Sequence, residues 1–180
     1  EMEKFYKLLA KWLKVKTNEI LVTSGADGGL LRIFNVFADK GDDIIYLNPS
    51  YAMYPLYCQM FKAKPKPLNI NLNFTNKIYF EKLLKHIKKN KPKIVAIANP
   101  NQPIETYITV EQIKRIASLT IRKNCYLIID EAYFHFNSIS ALKLINKYKN
   151  IIVVRTFSKA FGLAGLRVGY CVANKKIINL

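Results

Sequence analysis

No apolar run in the sequence approaches the roughly 20 residues needed to cross a bilayer, so a membrane-spanning helix and a membrane partner are not expected. The opening residues, EMEKFYKLLAKWLK, mix charged and apolar groups rather than a basic stub followed by an apolar stretch, so no secretory signal is expected. There are only three cysteines, Cys58, Cys125 and Cys171. An odd number without ligand-like spacing speaks against both a disulfide framework and a zinc site. Cys125 and Cys171 fall inside apolar runs, where cysteine behaves as a small buried hydrophobe. A reducing, cytoplasmic location is therefore expected. Histidine is scarce as well: His86 lies on a lysine-rich segment and is expected to be solvated, and His135 is expected to pack or hydrogen-bond. With no ligand cluster around either, no metal is expected. The chain has no internal repeat, low-complexity tract or linker. It opens on Glu1 without an initiator methionine, and it reads as a piece of something longer.

Acidic residues are few. Twelve Asp and Glu stand against 29 Lys and Arg, for a formal net charge of +17. Clustered cations of this kind neutralise nucleic-acid phosphates. Here they are spread along the chain and many fall on helix faces. Phe80, Leu83, Leu84 and Ile87 form an apolar stripe at helical spacing, with Lys77, Lys82, Lys85, Lys88 and Lys89 largely opposite. Without a recognition motif the charge is read as a solvated surface, with attraction of anionic substrates a further role, and no nucleic-acid partner is expected.

With 51% hydrophobic residues in 180, the chain can build one sizeable core. Helix-period and strand-like segments alternate throughout. Phe5, Leu8, Leu9, Trp12 and Leu13 make a helical face, and a glycine-rich turn leads into a helix from about Asp27 to Ala38. Thr109 and Gln112 have capping-box spacing and open a helix with Ile113, Ile116, Ala117 and Ile121 inward. Seven strands are expected, at 20–23, 43–47, 68–70, 93–98, 125–130, 151–155 and 168–173. Short continuous apolar strands separated by amphipathic helices predict a three-layer α/β/α domain with a mostly parallel seven-stranded sheet. In such sheets ligands collect beyond the carboxyl ends of the strands. Ser24–Asp27, Asn99–Pro103, Asp130–Tyr133 and Thr156–Lys159 all follow strands and should meet along one edge.

Lys159 follows a buried strand, has no carboxylate neighbour in sequence, and suits an amine used as a nucleophile towards an aldehyde. Arg167, with Thr156 and Ser158 nearby, suits a phosphate. Asp130 closes an apolar strand, where a carboxylate needs a partner. The turn Ser24-Gly25-Ala26-Asp27 brings N–H groups and a helix start towards an anion. Tyr51, after Asn48-Pro49-Ser50, can stack on a flat ring. Tyr54 and Tyr57 are read as packing residues.

The segment from Arg155 to Tyr170, RTFSKAFGLAGLRVGY, resembles the cofactor-lysine motif of fold-type I pyridoxal-5′-phosphate (PLP) enzymes. The likeness is to the class I/II aminotransferases, closest to the histidinol-phosphate aminotransferase branch, and it covers essentially the whole chain in order. The resemblance implies that Lys159 carries PLP covalently and shuttles the substrate proton. It implies Asp130 on the pyridine nitrogen, Tyr133 on the phenolic oxygen and Tyr51 over the ring. Gly25, Ala26, Asp27, Thr156, Ser158 and Arg167 fall at phosphate positions. Where the family pattern reads Asn-Pro-Asn-Asn-Pro-Thr-Gly, this chain has Asn99-Pro100-Asn101-Gln102-Pro103-Ile104-Glu105, so Gln102 presents the ring-facing amide on a longer arm.

Implied, then, is one PLP-binding large domain over residues 1–180, without the family's N-terminal arm and C-terminal small domain. The expected activity is amino-group transfer between an amino acid and a keto acid or phosphorylated ketone, in a homodimer. Decarboxylation of a phosphorylated amino acid is the alternative, since that branch shares nearly all these motifs.

Overall fold

A computed structural model describes residues 1–72, 76–137 and 139–180. Seven strands form one sheet: β1 (Ile20–Ser24), β2 (Asp43–Asn48), β3 (Lys64–Asn69), β4 (Pro92–Ala98), β5 (Tyr126–Asp130), β6 (Ile151–Thr156) and β7 (Val168–Ala173). Their order is β1-β7-β6-β5-β4-β2-β3. β3, β2, β4, β5 and β6 pair in parallel, while β7 runs antiparallel to both of its neighbours, β1 and β6. The expected mostly parallel α/β sheet is thus present, with one reversed strand.

Both sheet faces are buried, as continuous apolar strands require. Ile45, Leu47, Val95, Ile97, Leu127, Ile129 and Val153 point to one core. Ile44, Tyr46, Ile94, Ala96, Ile128, Ile152 and Val154 point to the other. The helices α1 (Met2–Leu13), α4 (Asn76–Lys89) and α5 (Val110–Ile121) cover the first face, and α2 (Gly25–Phe37) and α3 (Met53–Met60) the second. The short helices α6 (Phe134–Asn137) and α7 (Lys175–Ile178) complete the elements used below.

The Thr109 cap forms as the spacing predicts: Gln112 N donates to Thr109 Oγ1 at 3.3 Å and Thr109 N to Gln112 Oε1 at 2.8 Å. Other local expectations need correction. On α1, Leu9 and Leu13 are buried, but Leu8 and Trp12 are 58% and 48% exposed. The stripe that reaches the sheet is narrower than the periodicity suggested. On α5, Ile121 is exposed and Thr120 is buried instead, its hydroxyl accepting from Asn150 Nδ2 at 2.8 Å. The apolar stripe of α4 is buried as expected, while the side chain of Lys77 lies outside the described residues. His86 is half-buried and its Nε2 lies 3.0 Å from Lys66 O, so it bridges to β3 rather than standing in solvent.

Candidate active site

The sheet topology decides where the site is. The carboxyl ends of β1, β2, β4, β5 and β6 share one edge, and because β7 is reversed its first residue starts from that same edge. Arg167, immediately before β7, is therefore delivered next to residues that follow the other strands. A cavity of about 430 Å³ opens along this edge. Ala26 and Asp27 line it from the first turn of α2, Tyr51 from the loop after β2, and Gln102 from the loop after β4. Asp130 and Tyr133 line it from the end of β5, Thr156, Ser158 and Lys159 from the end of β6, and Arg167 from the start of β7. Every residue that the family resemblance placed at the cofactor except Gly25 lines the cavity, and all four post-strand segments meet there.

Gly25 lies just behind the wall. Its φ of +69° is left-handed, which favours glycine, and a Cβ at that position would come within 3.1 Å of Arg167 Nη2. The missing side chain leaves room for the guanidinium against the turn. Gly169 on β7 fixes that turn from below. A Cβ there would run into the Gly25 carbonyl carbon and come within 2.7 Å of both Ala26 N and Arg155 O. Backbone cannot step aside as a flexible side chain can. Gly169→Ala is therefore expected to cost roughly 2–3 kcal/mol as an overpacking change, seen as a lower urea midpoint at unchanged slope.

The cations and acids of the cavity are arranged unequally. Lys159 Nζ lies over the Tyr133 ring, 5.3 Å from its centroid. Thr156 Oγ1 donates to Ser158 Oγ at 2.9 Å and accepts from Ser158 N at 3.1 Å, a tight hydroxyl turn just ahead of Lys159. Asp130 is buried, yet among the described residues no cation lies within ion-pair distance of it. Its Oδ2 accepts from the Tyr54 hydroxyl at 2.9 Å and its Oδ1 from Ala132 N at 3.1 Å. Burial pushes the Asp130 carboxyl up from its ordinary range, and these two donors pull it part of the way back.

Tyr51 and Tyr57 both donate to Asp27 Oδ1, Tyr51 at 3.1 Å, and the Tyr57 hydroxyl also lies 3.2 Å from Asp27 O. The Tyr51 phenol is pushed up to about 12, by burial first and by Asp27 next. Tyr54 and Tyr57 do pack, being fully buried, but their hydroxyls also hold two cavity carboxylates. Their place in the sequence points to packing alone. A tyrosine repeated at three-residue intervals (51, 54, 57) was the available signal, because a buried phenol needs an acceptor.

The loop after β4 is tied down by asparagines. Asn99 exchanges two hydrogen bonds with Ile108, and Asn101 Nδ2 donates to Ile104 O at 2.9 Å and Pro49 O at 3.2 Å. Asn101 so joins the two loops that present Gln102 and Tyr51. His135 packs as expected, its ring against Phe161 and Trp12 with centroids 4.8 and 6.0 Å away.

The family model for aminotransferase class I and II matches residues 2–180. The chain belongs to that family. It is 38% identical over 176 residues to histidinol-phosphate aminotransferase of Caldanaerobacter subterraneus subsp. tengcongensis, covering 98% of this chain and 49% of the relative. Among solved structures it superposes on histidinol-phosphate aminotransferase from Clostridium acetobutylicum with a TM-score of 0.83 and 27% identity, over 96% of this chain and 51% of that one. L-threonine-O-3-phosphate decarboxylase from Porphyromonas gingivalis gives 0.78 and 26%, over 98% of this chain and 53% of that one. The chain spans about half the length of the curated relatives it matches. This class I and II aminotransferase chain accordingly carries the segment from Arg155 to Tyr170 on a sheet of the expected kind. Among the described residues no helix is long and apolar enough to cross a membrane, and no cluster could hold a metal ion.

Proposed function

We propose that this chain is the PLP-binding large domain of an aminotransferase that moves an amino group between an amino acid and a keto acid or phosphorylated ketone. The observation that carries the reading is one cavity with, among the described residues, a single lysine amine, a buried carboxylate lacking a cation, and a guanidinium seated against a glycine turn. The donor set fits PLP. Asp130 offers a negative charge where a protonated pyridine nitrogen would complete it, and the space above Gly25 leaves Arg167 free for a phosphate. When bound, PLP supplies an electron sink for the pair left at the substrate Cα. Lys159 would hold the cofactor through its amine, and that amine would be the group that moves the substrate Cα proton on to the cofactor.

Tyr133 and Gln102 would hold the phenolic oxygen and Tyr51 would cover the ring. Gly25, Ala26, Asp27, Thr156, Ser158 and Arg167 would hold the phosphate. Substrates are small molecules. The reading extends to a homodimer in the cytoplasm, completed by an arm and small domain outside these 180 residues, with no nucleic-acid, membrane or metal partner.

The likeness to the threonine-phosphate decarboxylase supports a second reading, loss of carbon dioxide from a phosphorylated amino acid. The test is the full-length protein with PLP and a panel of amino acids, phosphorylated amines and phospho-amino acids. Amine transfer to 2-oxoglutarate is expected. Carbon dioxide release without transfer would install the decarboxylase, and failure to take up PLP would overturn both.

A further inference from the structure

A buried carboxylate with no counter-ion needs something to hold it in one orientation and in its charged form. Asp130 has two such groups: Ala132 N on Oδ1 and the Tyr54 hydroxyl on Oδ2. A carboxylate offers about four acceptor sites, so one donor per oxygen leaves each oxygen able to accept from the cavity side. Tyr54 is fully buried, and its ring packs against Tyr46 and Tyr51 with centroids 5.9 and 5.7 Å away. A phenylalanine would keep those contacts. Only the hydroxyl reaches Asp130, and burial together with that carboxylate pushes the phenol upward, so it remains a donor. Three residues further along α3, Tyr57 makes the matching bond to the other cavity acid, Asp27. The two tyrosines share a helix face, as the spacing requires, and serve different carboxylates.

We infer that Tyr54 is a positioning residue for Asp130, its hydroxyl fixing the carboxylate plane and keeping the group ionised towards the cavity. The inference deepens the PLP reading and rests on it for its functional consequence. The groups facing Asp130 bear on its titration. Asp27 on α2, Tyr51 before α3, Tyr57 on α3 and Cys171 on β7 each interact electrostatically with the carboxylate. Lys159, Tyr133 and Arg167 line the same cavity. Within the protein, Tyr54 and Ala132 N are the donors that favour the charged form.

The test uses Tyr54→Phe and Tyr57→Phe in the full-length protein, with circular dichroism and urea midpoints to verify folding. PLP affinity is measured by absorbance titration across pH. If ionised Asp130 is needed, PLP binding is lost as pH falls through its pKa. Without the Tyr54 donor that pKa is higher, so the acid limb of Tyr54→Phe should appear at higher pH, with affinity at neutral pH weakened roughly tenfold. Tyr57→Phe should leave the acid limb where the wild type has it, and Asp130→Asn should abolish it. A Tyr54→Phe limb and affinity identical to wild type would overturn the inference, as would an equal shift in Tyr57→Phe.

A second measurement does not depend on the cofactor. Carbon-13 carboxylate NMR of the PLP-free full-length protein, with the Asp130 signal assigned by its loss in Asp130→Asn, should show Asp130 titrating at higher pH in Tyr54→Phe. Should the wild type take up no PLP, the functional proposal falls while this comparison still decides the role of Tyr54.

Discussion

Lys159→Ala should abolish the visible absorbance that the wild-type protein gains with PLP and lower amine transfer on the order of 10⁴-fold. The expectation follows from the inventory of the cavity. Among the described residues Lys159 is its one lysine, placed directly after the Thr156–Ser158 turn at the carboxyl edge of β6, and the other cation, Arg167, lies against Gly25. A guanidinium stays protonated and neither bonds covalently to an aldehyde nor carries a proton to and from carbon at neutral pH. Two separate tasks, covalent attachment and proton transfer, are lost with one amine. Lys159→Arg is the informative companion. It keeps the positive charge but not the nucleophile, so it should fail as badly as alanine. Recovery in Lys159→Arg would show that charge alone is what position 159 provides, and a surviving visible band in Lys159→Ala would show that the cofactor is not attached there. The two readouts are an absorbance spectrum with added PLP and a coupled transfer assay with saturating amino donor.

Much of this site is legible in the sequence, for a physical reason. Residues that must leave a buried strand at its carboxyl end interrupt an apolar run, and Asp130, Thr156 and Lys159 do so visibly. Glycine at 25 could be flagged because a turn into a helix brings backbone close to an anion. What stayed hidden were pairings between elements far apart in sequence. Tyr54 and Tyr57 fit an apolar pattern, and nothing in their spacing says that one hydroxyl meets Asp130 and the other Asp27. Leu8 and Trp12 fit a helical stripe, but how wide a stripe the sheet accepts depends on the neighbours of α1. His86 reads as solvated amid lysines until β3 supplies the Lys66 carbonyl. The reversal of β7, which brings Arg167 to the site, cannot be taken from the strand's own composition either.

A large stability effect follows by the same argument. Arg155 ends the apolar run Ile151–Val154 and Glu131 follows the buried strand β5; both charges are buried, which is permissible only if they are paired. They pair with each other. Arg155 Nε and Nη2 lie 2.9 and 2.8 Å from Glu131 Oε2. Glu131 also accepts from Ser140 Oγ at 2.9 Å and Ala141 N at 2.6 Å, and the Phe134 ring lies 3.8 Å from Arg155 Cζ. Burial still pushes the Glu131 carboxyl upward, with Arg155 the largest influence pulling it down.

Arg155→Met strands that carboxylate, and the expected loss is about 3–5 kcal/mol at neutral pH, measured as a drop in urea midpoint. The sign of its pH dependence follows. Without Arg155 the folded-state pKa of Glu131 lies further above its unfolded value, so stability is retained below the unfolded pKa and lost as pH rises towards the folded one. The deficit of Arg155→Met against wild type should therefore shrink in acid. Pairing it with Glu131→Leu should recover much of the loss, because two apolar side chains leave no orphaned charge. Since Glu131 adjoins Asp130 and Arg155 adjoins Thr156, the pair fastens together the two strand ends that supply the carboxylate and the lysine of the cavity. Even the stability-restored double variant is then expected to bind PLP more weakly than wild type, and undiminished binding would show that the pair serves the fold alone.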